Sequence, residues 1–160
     1  MEPVTLQNSP PEVGQPAPDF RLKGPGGTFF TLSENLGKPV VLVFYPLAFS
    51  PVCSHQLPEF QAVIARFEDA GAVVYGVSVD SHWSNTAFAR SLGLTFPLLS
   101  DWKREASRAY GVLLEQSGYS GRATFVIGRD GRIVHREIAE NTGMEHVPSL
   151  DAAIQAATRG

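Results

Sequence analysis

A single cysteine, Cys53, stands in the 160 residues. One thiol cannot close an intramolecular disulfide, so any disulfide this chain forms must join it to a second molecule. Runs of one charge sign are missing too. The 13 basic residues are scattered among 16 acidic ones, for a net charge of −3, and no Lys/Arg block offers an extended surface to nucleic acid. No apolar run approaches the roughly 20 residues of a membrane-spanning helix. Met1 to Gly14 has neither the basic start nor the apolar segment of a secretory leader. The expectation is a cytoplasmic protein with no membrane or nucleic-acid partner. The four histidines, His55, His82, His135 and His146, lack metal-ligand spacing such as H-E-x-x-H, so neither metal nor cofactor is expected.

What is present is a composition 43% hydrophobic, suited to one domain with a sizeable core. Residues 1–12 read as an arm, mobile or loosely docked, and residues 13–160 as the domain. Val40 to Tyr45 is an apolar, β-branched and aromatic run, as expected of a strand buried on both faces of a sheet. A loop follows, then a helix over Ser54 to Asp69 with Leu57, Phe60, Ile64 and Phe67 on one face and its entrance at or beside Cys53. Pro58 cannot donate to residue 54 and is expected to weaken that helix.

Before the buried strand, Asp19 to Leu22 and Thr28 to Leu32 flank Gly24-Pro25-Gly26-Gly27 as a hairpin. After the helix, Val73 to Val79 is a second buried strand. Trp83, Ala87, Phe88 and Leu92 share one face of a helix that Gly93 ends. Phe96 to Leu99 is a short strand, Lys103 to Tyr110 a helix, and Thr124 to Ile127 with Arg132 to Ile138 a second hairpin through Asp130-Gly131. A last helix runs from about His146 to Thr158. The order implies an α/β fold, with a central mixed sheet, helices on both faces and an N-terminal β-hairpin, of thioredoxin-like type.

Cys53 reads either as a buried structural thiol or as a nucleophile. A helix entrance and a nearby cation lower a thiol pKa from about 8.5 to roughly 3.5–7.5. Arg122, just before the Thr124 strand, is either that cation or an ordinary surface charge; its guanidinium stays charged and presents donors in a fixed fork. Ser50, three residues before Cys53, either contacts a bound substrate or caps the helix. Pro46 and Pro51 stiffen the loop and remove N–H donors. Phe49, Val52 and Trp83 are candidate pocket walls, with Trp83 also open to a subunit contact or to the core. Asp80 reads as a loop cap.

Pro46-Leu47-Ala48-Phe49-Ser50-Pro51-Val52-Cys53 resembles the active-site motif of the peroxiredoxins, in its serine form. Gly14-Gln15-Pro16-Ala17-Pro18-Asp19-Phe20, Val77 to Ser81, Phe96 to Asp101 and Arg122 to Ile127 resemble further segments of that family, in order, over about Val13 to Ile138. The bacterioferritin-comigratory and alkyl hydroperoxide reductase E types are the most similar. The resemblance implies a thiol-dependent peroxidase in which Cys53 attacks a hydroperoxide, Pro46 shields the sulfur, Ser50 positions the peroxide and Arg122 stabilises charge. Pro58 occupies the place of a close-spaced resolving cysteine, and Gln56 stands where many relatives carry Glu. The implied cycle is therefore one-Cys: the sulfenic acid is reduced by a small thiol or a thioredoxin- or glutaredoxin-like protein. A homodimer is possible. A peroxide sensor that passes its oxidation to a partner protein is the alternative.

Overall fold

The computed structural model describes residues 9–139 and 150–159 and, within them, every side chain except those of Val52, Cys53 and His55. Its centre is β3, Val40–Phe44, with every side chain buried. Successive side chains of a strand point to opposite faces, and β3 feeds two cores accordingly. Val41 and Val43 enter one with Leu57, Phe60, Phe67, Phe88 and Ile154; Val40, Leu42 and Phe44 enter the other with Phe20, Phe30, Tyr110 and Phe125. Each fully buried side chain of this size contributes about 1.5–3 kcal/mol relative to exposure. A double-sided core is what an uninterrupted apolar run can satisfy and an alternating one cannot.

The other strands assemble around β3. The N-terminal hairpin joins β1 (Arg21–Lys23) to β2 (Phe29–Thr31). Then come β4 (Val73–Ser78), β5 (Leu98–Ser100), β8 (Ala123–Ile127) and β9 (Ile133–Ile138). The seven lie in the order β2-β1-β5-β4-β3-β8-β9, with β3, β4 and β5 parallel and the remaining pairings antiparallel. A separate two-stranded ribbon, β6 (Leu113–Leu114) with β7 (Tyr119–Ser120), was not anticipated; two-residue strands are too short to show a period.

Among the described residues, five α-helices pack on this sheet: α1 (Pro51–Ala62), α2 (Ile64–Asp69), α3 (His82–Leu92), α4 (Glu105–Ala109) and α5 (Leu150–Arg159). The mixed sheet with helices on both faces is the thioredoxin-like arrangement expected. Two details differ. The single helix anticipated over Ser54 to Asp69 is two helices that begin earlier, at Pro51, and meet at Val63 (φ −117°, ψ 18°). Pro58 lies inside α1 without ending it. Its fixed φ suits a helix, and the buried Leu57 and Phe60 hold the turns around it. At Val63 the chain tightens to i−3 hydrogen bonds, Val63 N to Phe60 O and Arg66 N to Val63 O, and α2 buries Phe67.

The second difference is the phase of α3. Ser81 caps it by accepting from Ser84 N at 3.1 Å, and Gly93 ends it at φ 68°, both locally encoded. Its buried face carries Asn85 and Phe88, while Trp83 and Ala87 are exposed. Asn85 is polar and so was not counted inward; it turns inward because partners await it there. The start anticipated for the last helix, at His146, lies outside the described residues. Of the anticipated arm, Pro10 and Pro11 offer their carbonyls to Arg136 Nη1 at 3.2 and 3.1 Å.

Candidate active site

Parallel strands β3, β4 and β5 end on the same side of the sheet, and the loop from Pro46 to Ser50 leaves there. Pro46 is buried, Ser50 half-buried, and Phe49 56% exposed. Phe49 adopts φ 68°, a left-handed conformation that bulky side chains rarely take. Its ring lies 5.0 Å from that of Phe88. Because α1 opens at Pro51, a residue favoured at a first helical position, Cys53 is its third residue, within the first turn. Ser54 N donates to Ser50 O at 3.0 Å, and Ser54 Oγ donates to the same carbonyl at 2.9 Å. The first turn of any helix presents amides ahead of its i−4 hydrogen-bond ladder, and the helix dipole there favours an anion. Val52 as a pocket wall, and the side chains of Cys53 and His55, lie outside the described ones.

Arg122 is 2% exposed, one of the largest fully buried side chains of the protein. The register of β3 on β8 pairs Phe44 with Ala123. One step further, Arg122 stands opposite Tyr45, the residue that precedes Pro46. Two hydrogen bonds hold this corner: Ser120 Oγ donates to Tyr45 O at 3.2 Å, and Ala139 N to Arg122 O at 2.9 Å. A guanidinium enclosed at the end of β3 cannot be read as an ordinary surface charge, since burial of an unneeded cation is costly.

Residues that sequence reasoning did not assemble secure the loop. Asp80 Oδ2 accepts from Ala48 N at 2.7 Å and lies 2.8 Å from Ser78 Oγ. Ser78 Oγ is also 3.2 Å from Asn85 Oδ1, which accepts from Tyr45 O–H at 2.6 Å. Asn85 Nδ2 donates to Leu99 O at 3.3 Å. Asp80 does cap a loop, as read, but the loop is the one preceding Cys53. Gln56 is buried, and its Oε1 has no hydrogen-bond partner among the described residues.

Trp83 points elsewhere. It is 74% exposed, its ring tilted against that of His82 at 4.1 Å between centroids, so the core reading fails. It lines a surface cleft of about 750 Å³ together with Arg21, Lys23, Phe29, Trp102 and Lys103. Arg21 lies over the Phe29 ring at 3.6 Å. Among the described residues, no group of three or more His, Cys, Asp or Glu could hold a metal ion, and no helix is long and apolar enough to cross a membrane.

The AhpC/TSA family profile matches residues 13–136. Alkyl hydroperoxide reductase E of Mycobacterium tuberculosis is 40% identical over 131 residues, spanning 80% of this chain and 86% of that protein. Among solved structures, peroxidoxin BcpB of the same organism superposes with a TM-score of 0.80 at 30% identity, over 93% of this chain and 97% of the other. AhpC of Enterococcus faecalis superposes with a TM-score of 0.81 at 29% identity, over 93% and 92%.

Proposed function

Since the chain belongs to the AhpC/TSA family, the peroxiredoxins, we propose that it performs this family's peroxidase chemistry by a one-Cys cycle centred on Cys53. The observation that carries this reading is the buried Arg122 at the end of β3, beside the loop that leads to the only cysteine. The Cys53 thiolate attacks the terminal oxygen of a hydroperoxide. The O–O bond breaks, the sulfur becomes a sulfenic acid, and the alkoxide or hydroxide leaves as alcohol or water after taking a proton.

In this step Arg122 holds the thiolate and stabilises charge on the departing oxygen, as fixed donors do in a site closed to water. Ser50 hydrogen-bonds the peroxide. Buried Pro46 covers the sulfur, with Phe49 as a wall of the entrance. No second cysteine exists in the chain, so reduction needs two equivalents of an external thiol. The first condenses with the sulfenic acid to a mixed disulfide and water; the second releases Cys53 as thiol and leaves the two external sulfurs as a disulfide. A small thiol or a thioredoxin- or glutaredoxin-like protein serves, and the cytoplasm, where such thiols are kept reduced, is the matching compartment. The exposed Trp83 and Trp102 suit a homodimer contact, because tryptophan is enriched where subunits meet.

Mass spectrometry of the protein after one equivalent of hydroperoxide, with thiols then added singly, tests the cycle. One added oxygen on Cys53, lost on thiol addition with catalytic turnover, is the expected result; Cys53→Ser removes both. Rapid oxidation without thiol-supported turnover would instead make the protein a sensor.

A further inference from the structure

Resting on that reading of Cys53, we propose that Asp80 is a positioning residue for peroxide attack. It holds the loop before the cysteine in a conformation the loop would not keep by itself. Phe49 sits at φ 68° with more than half its surface exposed, its ring meeting that of Phe88 at 5.0 Å. A bulky residue stays in the left-handed region only where its surroundings over-determine it.

On the other flank of Phe49, the Ala48 amide is fastened to Asp80 Oδ2 at 2.7 Å across 32 residues of sequence. The carboxylate is itself braced. Ser78 Oγ lies 2.8 Å from it, the Asp80 amide donates back to Ser78 Oγ at 3.2 Å, and Ser100 Oγ donates to the Asp80 carbonyl at 2.6 Å. Ser78 and Asn85 are fully buried, and Asn85 accepts from Tyr45, the last residue before the loop. The loop is thus tied at Tyr45 and at Ala48 to one rigid network on β4 and α3. Ser50 and the first turn of α1 follow directly from it. Loss of the Ala48 tie frees Phe49 to relax to negative φ, which swings Ser50 and the start of α1 away from Arg122.

The test compares Asp80→Ala with Asp80→Asn, which keeps a carbonyl acceptor for the Ala48 amide. Two readouts are taken on the intact protein: native-state hydrogen exchange at Ala48, and the second-order rate of Cys53 oxidation by hydrogen peroxide. In the alanine variant Ala48 should exchange at least tenfold faster and oxidation should slow at least tenfold. The asparagine variant should bring both to within about threefold of the parent. A merely structural role would alter the unfolding midpoint without this paired rescue. Ser78→Ala, a small change in a buried site, should move both readouts in the same direction by a lesser amount, and keeps the test available should Asp80→Ala not fold. Parental rates in Asp80→Ala or in Ser78→Ala, or an asparagine variant no better than alanine, overturns the assignment. A parent protein whose Cys53 is not oxidised by peroxide overturns it together with the peroxidase reading; parental oxidation that Asp80 does not affect overturns Asp80 alone.

Discussion

Gly76→Ala adds one methyl group where the sheet has no room for it. Gly76 lies in the middle of β4, paired with Val43 of β3 on one side and Leu98 of β5 on the other. A Cβ built there collides with Leu98 Cδ2 and comes within 3.2 Å of Tyr45 Cε1. Leu98 is 2% exposed and Tyr45 fully buried, its hydroxyl committed to Asn85 at 2.6 Å, so neither side chain can yield freely. Overpacking of this kind costs about 1–3 kcal/mol. Reduced freedom of the unfolded chain returns about 0.4–1 kcal/mol, for a net loss of about 1.3 kcal/mol at mid-range and at most about 2.6 kcal/mol. At about 2–4 °C per kcal/mol for a domain of this size, the mid-range loss lowers the midpoint by about 3–5 °C.

The assay is a double-mutant cycle followed by urea unfolding. Leu98→Val alone should cost about 1 kcal/mol. In the double variant the added methyl fills the space vacated by Cδ2, so the combined loss should be smaller than the sum of the two by at least about 0.5 kcal/mol. Gly76→Ala with parental stability, or strict additivity, would refute the packing argument.

Arg122→Ala should raise the pH midpoint of Cys53 alkylation by about one to three units, because an opposite charge at close range favours the thiolate, and should slow oxidation by peroxide. Arg122→Lys, which keeps the charge but not the fork, should fall between; an unchanged midpoint in the alanine variant would exclude Arg122 from the site. Tyr110 packs against Phe20, Phe44 and Phe125 and donates to Pro18 O at 2.7 Å. Burial, and secondarily the charge of Asp19, push its ionisation well above the ordinary tyrosine range. The folded state therefore retains a proton that the unfolded state loses above about pH 10, and stability that is full below that pH falls as pH rises, by up to about 1.4 kcal/mol per unit. Tyr110→Phe should lose about 1 kcal/mol at neutral pH yet show a shallower alkaline decline in urea unfolding between pH 9 and 11. Parallel declines would refute this.

Much of the fold was legible locally. Val40 to Tyr45 declared a strand buried on both sides because both parities are apolar, and Asp130-Gly131 and Gly93 marked a turn and a helix end because those positions need positive φ, observed at 84° and 68° for the two glycines. Pro51 as a helix start was not legible because the apolar spacing begins only at Leu57, and the break at Val63 was not because that spacing continues across it. The phase of α3 was misread for a related reason: Trp83 and Ala87 matched the period as well as Ala89 and Leu92 do, and only tertiary partners make Asn85 an inward residue.

By itself the sequence determined that the chain holds one thiol, that it follows a buried strand and a proline-bounded loop, and that any disulfide it forms joins it to a second molecule. Tertiary structure decided what surrounds that loop. Arg122 reaches the end of β3 only through antiparallel pairing with β8, and Asp80 reaches Ala48 only because β4 lies parallel to β3. Neither relation has a local signature, since strand pairing joins residues dozens of positions apart through backbone hydrogen bonds common to all residue types.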